Sequence, residues 1–256
     1  MAELAPVELS VVIPAYNEER RLGPTLEQVA DYLSHQPWPT ELIVVDDGSS
    51  DGTVALAQEF LERSPVPGRL LINEQNCGKG YSVRRGMMES TGRLALFSDA
   101  DLSTPIEHAA DLRAAIERGA DIAIGSRALR ESDLAVPQPF LRQTAGRVFS
   151  LVQRTILGSG IRDTQCGFKM FTREAIESVF PHQRLERWAF DAELIFIALR
   201  IGFRVVEVPV RWVNSPDTKV NALADGMQMV SDLMRIRRMH GQLTPDDRRG
   251  PARVVH

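Results

Sequence analysis

The sequence predicts an α/β fold: a mainly parallel sheet with helices on both faces. Three observations lead there. Short apolar runs alternate with longer amphipathic segments, and several runs are rich in Val and Ile, as strands buried on both faces are. Each of the first four runs also ends in a polar cluster. The order βαβαβαβαβ calls for right-handed crossovers and places ligands outside the carboxyl ends of the strands.

The elements follow in order. A strand at 9–13 runs into PAYNEE at 14–19, and a helix at 24–35 has Pro24 near its start, where proline's fixed φ is tolerated. A strand at 42–45 ends in DDGSSDGT at 46–53, and Asp51 is placed to cap a helix at 51–63. A strand at 70–72 leads into NEQNCGKG at 73–80 and a helix at 79–90. The strand at 94–97 stops in SDAD at 98–101, before a helix at 105–118 with Pro105 near its start and Ser103 or Thr104 to cap it. A strand at 122–124 completes the alternation.

The second half reads as helices. Residues 189–201, AFDAELIFIALRI, repeat apolar positions at helical spacing, with Asp191 and Glu193 where the helix dipole favours acids. Segments 140–157 and 223–240 are basic and amphipathic, carrying Arg142, Arg147 and Arg154 in the first and Arg235, Arg237 and Arg238 in the second. Such helices pack into a core with their arginines in water, or rest on a membrane surface. The polar tail from Leu243 is expected to be flexible.

Composition removes several classes. The 256 residues are 43% hydrophobic, enough for a large core, and a net charge of -4 offers no global field for nucleic acid. Two cysteines, Cys77 and Cys166, make neither a disulfide framework nor a zinc spacing, so a cytoplasmic setting is expected. The N-terminus shows no export signal, and no apolar run reaches the ~18 residues of a spanning helix. A phosphate-cradling P-loop would need Gly six residues before Lys79 and Ser or Thr after it, but Asn73 and Gly80 stand there. A dinucleotide fingerprint starting at Gly78 would need a third glycine where Val83 stands.

The pair Asp99 and Asp101 offers another route. Carboxylates two apart on a strand that breaks into a turn can approach a hard divalent cation, which shares its coordination with water and a diphosphate. Either acid could instead cap the helix at 105.

Together PAYNE (14–18), DDGSSDGT (46–53), GKG (78–80), DAD (99–101), GSR (125–127) and DTQCGFK (163–169) resemble the inverting family-two glycosyltransferases of the GT-A fold. The nearest branch is the dolichyl- or polyprenyl-phosphate sugar synthases, of the dolichyl-phosphate beta-glucosyltransferase type. The likeness runs from about residue 8 to 225. It implies a Rossmann-like nucleotide-sugar half at 1–130, a smaller acceptor half of the same domain at 131–242, and a tail at 243–256.

The resemblance also implies roles. Pro14, Ala15, Tyr16 and Glu18 would line base and ribose, with Glu18 accepting from ribose hydroxyls, and Asp47 would accept from the imide of uracil. Lys79 would flank the base. Asp99, Ala100 and Asp101 would hold ribose and a diphosphate bound to Mg²⁺ or Mn²⁺, with Asp101 the direct metal ligand. Departure of a nucleoside diphosphate builds negative charge that nearby cations stabilise, for which Arg127, Arg211 and Lys219 are candidates. Lys219 lies in a loop, NSPDTKVN, that could close over the diphosphate. Arg127, Arg142 and Arg211 would meet the acceptor. Asp191 would serve as general base toward a hydroxyl acceptor, but would only organise the site for a lipid phosphate, which arrives anionic.

The expected activity is transfer of glucose from UDP-glucose to a polyprenyl phosphate at the cytoplasmic face of a membrane, with peripheral contact. The alternatives are GDP-mannose as donor, a soluble hydroxyl acceptor, or a protein that binds a nucleotide sugar without turnover.

Overall fold

The computed structural model describes residues 5–129, 132, 155–156, 158, 160–213 and 222–249. These form β1 (Leu9–Ala15), α1 (Leu22–Ser34), β2 (Thr40–Asp46), α2 (Thr53–Arg63), β3 (Gly68–Ile72), α3 (Lys79–Glu89) and β4 (Leu94–Ser98). Then come α4 (Ala109–Glu117), β5 (Ile122–Ser126), β6 (Phe168–Thr172), α5 (Arg173–Val179), α6 (Phe190–Arg200), β7 (Val205–Pro209) and α7 (Ala222–His240).

The strands make one sheet of order β3-β2-β1-β4-β6-β5-β7. β1 pairs in parallel with β2 and β4, β2 with β3, and β5 with β7. β6 is inserted antiparallel between β4 and β5. The expected mainly parallel sheet is therefore present, with each expected strand extended by one to three residues. β1, β2, β4 and β5 are buried along their whole length, while β3 is a partly exposed edge.

The pleat splits the apolar residues between two cores. Val11 and Ile13 face the layer of α1, α2 and α4 with Leu26, Phe60 and Leu112. Val12, Ile43 and Val45 face α3, α6 and α7 with Met87, Leu194 and Leu233. Each fully buried side chain of this kind contributes about 1.5–3 kcal/mol. A run of rings, Phe97 to Phe171 at 6.2 Å and Phe171 to Phe180 at 5.3 Å, joins the sheet to the 3-10 turn Phe180–His182 that follows α5.

Local chemistry sets the helix starts. The N-cap of α2 is Gly52, without a side-chain cap, rather than the expected Asp51; Asp51 stands one residue earlier and its Oδ1 accepts from Thr53 N at 3.0 Å. The helix expected at 105–118 begins instead as a 3-10 turn, Ile106–His108, with Pro105 at its N-cap and no side-chain cap from Ser103 or Thr104. The expected flexible tail also starts with ordered residues. Pro245–Arg249 form a 3-10 turn, Thr244 N donates to Asp247, and Arg248 pairs with Glu174 at 2.9 Å and Asp121 at 3.3 Å. Residues 250–256, Arg142, Arg147, Arg154 and Lys219 lie outside the described residues.

Candidate active site

The carboxyl ends of β1, β2 and β4 lie side by side, so their polar clusters form one edge. Ala15 sits opposite Asp46 in the β1–β2 register. The two loops beyond are knitted together: Asn17 N donates to Ser49 Oγ at 2.9 Å, Ser50 N to Asn17 Oδ1 at 2.9 Å, and Glu18 N to Thr53 Oγ1 at 2.8 Å. Asn17 has φ 54°, a conformation that asparagine tolerates better than most residues. Pro14 and Ala15 are buried, and Tyr16 stands 46% exposed beside them. Both Glu18 oxygens accept from Arg21, at 2.8 Å each. A ribose contact from Glu18 would share the carboxylate with that guanidinium.

Asp47 has a heavier commitment. It is buried, and its carboxylate accepts from Cys77 N at 3.0 Å, Gly78 N at 2.8 Å, Asn73 Nδ2 at 2.8 Å and Ser82 Oγ at 3.0 Å. A carboxylate has about four acceptor positions. An uracil contact from Asp47 would require one of these donors to give way, and the residue's evident work here is to shape the 73–82 loop. Its neighbour Asp46 was passed over in the sequence: Oδ2 accepts from Gly48 N and Ser49 N at 3.0 Å each, which fixes the turn after β2.

The GKG loop is held from the other side by residues 183–188. Gly80 N and Tyr81 N donate to Glu186 O at 2.7 and 3.2 Å, and Gln183 Nε2 donates to Gly80 O at 2.9 Å. Gly78 has φ 105°, and a side chain there would place its Cβ 2.4 Å from Glu186 O. Only glycine fits. Lys79 then heads α3 with its Nζ 2.5 Å from Asp99 Oδ1. The same ammonium lies 5.6 Å from the ring of Trp188, whose side is 66% exposed, and 5.9 Å from that of Phe190. Burial works to depress its pKa, but Asp99 and then Asp191 outweigh that and hold Lys79 above an ordinary lysine.

Asp99, Ala100 and Asp101 form a tight turn. Leu102 N donates to Asp99 O at 3.1 Å, Thr25 Oγ1 to Ala100 O at 2.7 Å, and Ser103 N to Asp101 Oδ1 at 3.0 Å. Asp101 thus braces its own turn through Oδ1, whereas Asp99 is engaged by Lys79. Among the described residues no three His, Cys, Asp or Glu side chains converge as a metal cage. That fits a Mg²⁺-type site, in which one or two carboxylates suffice because substrate phosphates and water complete the shell.

The antiparallel direction of β6 explains why a segment 64 positions later reaches this turn. Ser98 opposes Phe168, so residues just before β6 meet the residues just after β4. Asp99 N donates to Gly167 O at 3.1 Å, and a Cβ on Gly167 would lie 2.2 Å from Asp99 Oδ2. Asp163 takes Arg127: Nε to Oδ2 at 2.7 Å, a second guanidinium nitrogen to Oδ1 at 2.9 Å, and the Arg127 backbone N to Oδ2 at 2.9 Å. Glu207 fixes Asp163 in turn, accepting from its N at 2.9 Å. Burial opposes both charges of this pair, yet each partner stabilises the other, so Asp163 stays below and Arg127 above its usual pKa. Cys166 is a buried thiol pushed up to about 11 by burial and then by Asp163, too high for a nucleophile.

Arg211 is brought to the rim by its backbone N, which donates to His108 Nε2 at 3.0 Å, while Val213 N donates to Ser103 O at 2.8 Å. Between them Trp212 lies 5.5 Å from the Arg127 guanidinium carbon.

Asp191 and Glu193 separate in role. Glu193 is fully buried and accepts from Arg184 N at 3.0 Å, Leu185 N at 2.8 Å and His240 at 2.7 Å, which ties α6 to the 183–188 loop and to the end of α7. Asp191, also buried, is hydrogen-bonded through Oδ1 to the Lys169 ammonium. Burial raises the Asp191 pKa more than Lys169 and Lys79 lower it. The structure therefore brings together Lys79, Asp99, Asp101, Arg127, Asp191 and the segment of Arg211. It adds Asp163, Gly167 and Lys169, whose signal was the DTQCGFK run itself.

A profile of "Glycosyl transferase family 2" matches residues 10–180. The chain is 38% identical over 242 residues to a dolichyl-phosphate beta-glucosyltransferase of Dictyostelium discoideum, covering 90% of this chain and 74% of that protein. It is 35% identical over 246 residues to the Homo sapiens enzyme of that name, covering 90% and 75%. In fold it is similar to glucosyl-3-phosphoglycerate synthase from Mycobacterium tuberculosis in complex with Mn²⁺, UDP and glucosyl-3-phosphoglycerate, at a TM-score of 0.65 and 19% identity over 92% of this chain and 80% of that one. The GT-A arrangement of the sheet, the acids that end β4 and the match across both halves of the chain converge: the protein belongs to glycosyl transferase family 2.

Proposed function

We propose that the protein transfers glucose from UDP-glucose to a dolichyl or other polyprenyl phosphate, with inversion at the anomeric carbon. Its relatives at 32–39% identity carry the name of that reaction. The structural observation that carries the acceptor class is the state of Asp191. The carboxylate that a hydroxyl acceptor would need as base is buried and bonded to Lys169, while Arg127 is held at the same edge by Asp163. An acceptor that arrives as a phosphate needs cations and positioning, and no base.

The residues then divide the work. Tyr16 and the loops after β1 and β2 border the nucleotide, and Lys79 stands at Asp99 where the diphosphate charge would lie. A phosphate oxygen of the acceptor attacks the anomeric carbon as the bond from that carbon to the UDP oxygen breaks. Arg127 and Arg211 face the incoming phosphate, and Lys79 stabilises the charge that develops on the leaving oxygen. A divalent cation, Mg²⁺ or Mn²⁺, held by Asp101 with help from Asp99, would supply further stabilisation of the diphosphate.

Contact with the membrane falls to α7. Leu233 and Ile236 are buried, whereas Met234 is 57% exposed among the exposed Arg235, Arg237 and Arg238. That face suits an anionic lipid surface. Among the described residues no helix is long and apolar enough to cross a membrane.

The test is UDP and GDP release from UDP-glucose and GDP-mannose with Mg²⁺ or Mn²⁺, with and without a short polyprenyl phosphate in detergent. UDP release that depends on the lipid is expected. Preference for GDP-mannose would replace the donor, and release indifferent to the lipid would replace the acceptor.

A further inference from the structure

Lys169 is the residue of the site that a strand has least reason to contain. It lies in the middle of β6, opposite Phe97 and Ile124, with 0% exposure. An apolar side chain would serve the core there, and a buried ammonium is tolerated only when its charge and protons are matched. Lys169 is matched on two sides. Its Nζ donates to Asp191 Oδ1 and, at 2.5 Å, to Cys166 O, and it lies 5.2 Å from the Phe97 ring centroid.

Those two partners lead to the same place. The residue after Cys166 is Gly167, whose carbonyl accepts from Asp99 N and whose bare Cα leaves room for the Asp99 carboxylate. On the other side, Asp191 follows Phe190, whose ring centroid lies 5.9 Å from the Lys79 ammonium; Asp191 attracts that ammonium electrostatically, and Lys79 is paired with Asp99. Among the described residues, the charged groups that act most strongly on Asp191 are Lys169 from β6, Lys79 from α3 and, with opposite effect, Asp99 from the end of β4. Asp99, Lys79, Asp191, Lys169 and the 166–167 turn thus form a closed circuit, of which Lys169 is the innermost member.

We infer that Lys169 is a positioning residue for the transfer: it holds Asp191 in place and, through Asp191, the Lys79 ammonium that faces the leaving diphosphate. This rests on the transferase reading above. Lys169 itself touches no substrate, because it has no exposed surface. Its effect is on the placement of charge in the transition state, so it should appear in kcat more than in binding.

The experiment compares Lys169→Met, which keeps the stem and removes the ammonium, with Asp191→Asn and with the double variant, using UDP release from UDP-glucose in the presence of Mn²⁺. Lys169→Met should lower kcat about tenfold or more while KM for UDP-glucose and for polyprenyl phosphate each move by less than about threefold. In the double variant the second change should add nothing to the loss seen in Asp191→Asn, since both act through one pair. Wild-type kcat in Lys169→Met, or losses that multiply in the double variant, would overturn the inference. If Lys169→Met fails to fold, the double variant, which leaves neither charge of the pair buried alone, is compared with the wild type: kcat lowered about tenfold or more with both KM values held supports the inference, and wild-type kcat overturns it. UDP release that ignores polyprenyl phosphate in the wild type sinks the acceptor assignment and leaves this comparison intact.

Discussion

Arg127 and Asp163, 36 residues apart in the chain, meet in a two-pronged ion pair with nitrogen–oxygen distances of 2.7 and 2.9 Å. Asp163 is nearly buried, whereas the Arg127 side chain keeps 30% of its surface open toward the site edge. The pair therefore presents one face of a guanidinium whose direction is fixed from behind. Replacing Asp163 by Asn should cost about 1–3 kcal/mol, the range for leaving a buried hydrogen-bonded group without its partner. It should also raise KM for polyprenyl phosphate more than KM for UDP-glucose. Thermal unfolding together with the two KM values checks this, and an unchanged acceptor KM would remove Arg127 from the acceptor site.

Asp101→Ala should abolish metal-dependent turnover and leave the fold intact. Among the described residues Asp101 supports the amide of Ser103 in its own turn, so little else there depends on its carboxylate. Calorimetric titration of UDP with and without Mn²⁺ gives a readout apart from activity: the variant should lose the gain in UDP affinity that Mn²⁺ confers. Retained turnover with Mn²⁺ would falsify the metal assignment.

Gly167→Ala should be as damaging as the loss of a catalytic group, although it adds one methyl. That methyl would stand 2.2 Å from Asp99 Oδ2, so either Asp99 leaves Lys79 or the 166–167 turn moves. Overpacking of this kind costs about 1–3 kcal/mol. The expected result is a lowered unfolding midpoint with kcat reduced by more than stability alone explains. A fully active variant would show that the Asp99 position is not set by this contact.

Acid should unfold the protein in part through Glu41, far from the site. Burial pushes its carboxyl up, but bonds from Ser10 Oγ at 2.7 Å, Thr91 N at 2.6 Å and Thr91 Oγ1 at 2.9 Å, with Arg69 at 3.3 Å, together hold it below its usual 4.5. A carboxyl depressed in the folded state favours folding above pH 4.5, and that contribution disappears as pH falls through the lower, folded value. Glu41→Gln should flatten the dependence of the urea midpoint on pH as pH falls below about 4.5. Equal slopes in the two proteins would place the acid sensitivity elsewhere.

The parallel part of the sheet was readable because β1, β2 and β4 each contain a short, mostly apolar run followed by a polar cluster, and parallel strands put those clusters at one edge. β6 was not. Its sequence, FKMFT, is interrupted by Lys169, and nothing in a short run tells parallel from antiparallel pairing. The site was legible where its residues are close in sequence, as in Asp99 and Asp101. It was obscure where partners come from afar, as with Asp163 for Arg127 or Lys169 for Asp191. Asp47 shows the converse, for its position was foreseen while the four donors around it emerge only when the 73–82 loop folds back. Likewise, an acid in the first turn of α6 reads equally as dipole partner or base, and only the buried lysine beneath Asp191 separates the two.

The contact between Lys79 and Trp188 gives the protein an optical signal of its own. Of three tryptophans, Trp188 stands in solvent with an ammonium near its ring, whereas Trp38 is covered by the Arg113 guanidinium at 3.6 Å. A diphosphate that draws Lys79 toward itself changes the charge beside the indole. If Lys79 meets the donor diphosphate as proposed, arrival and departure of the donor should be visible in intrinsic fluorescence, in real time and without a label.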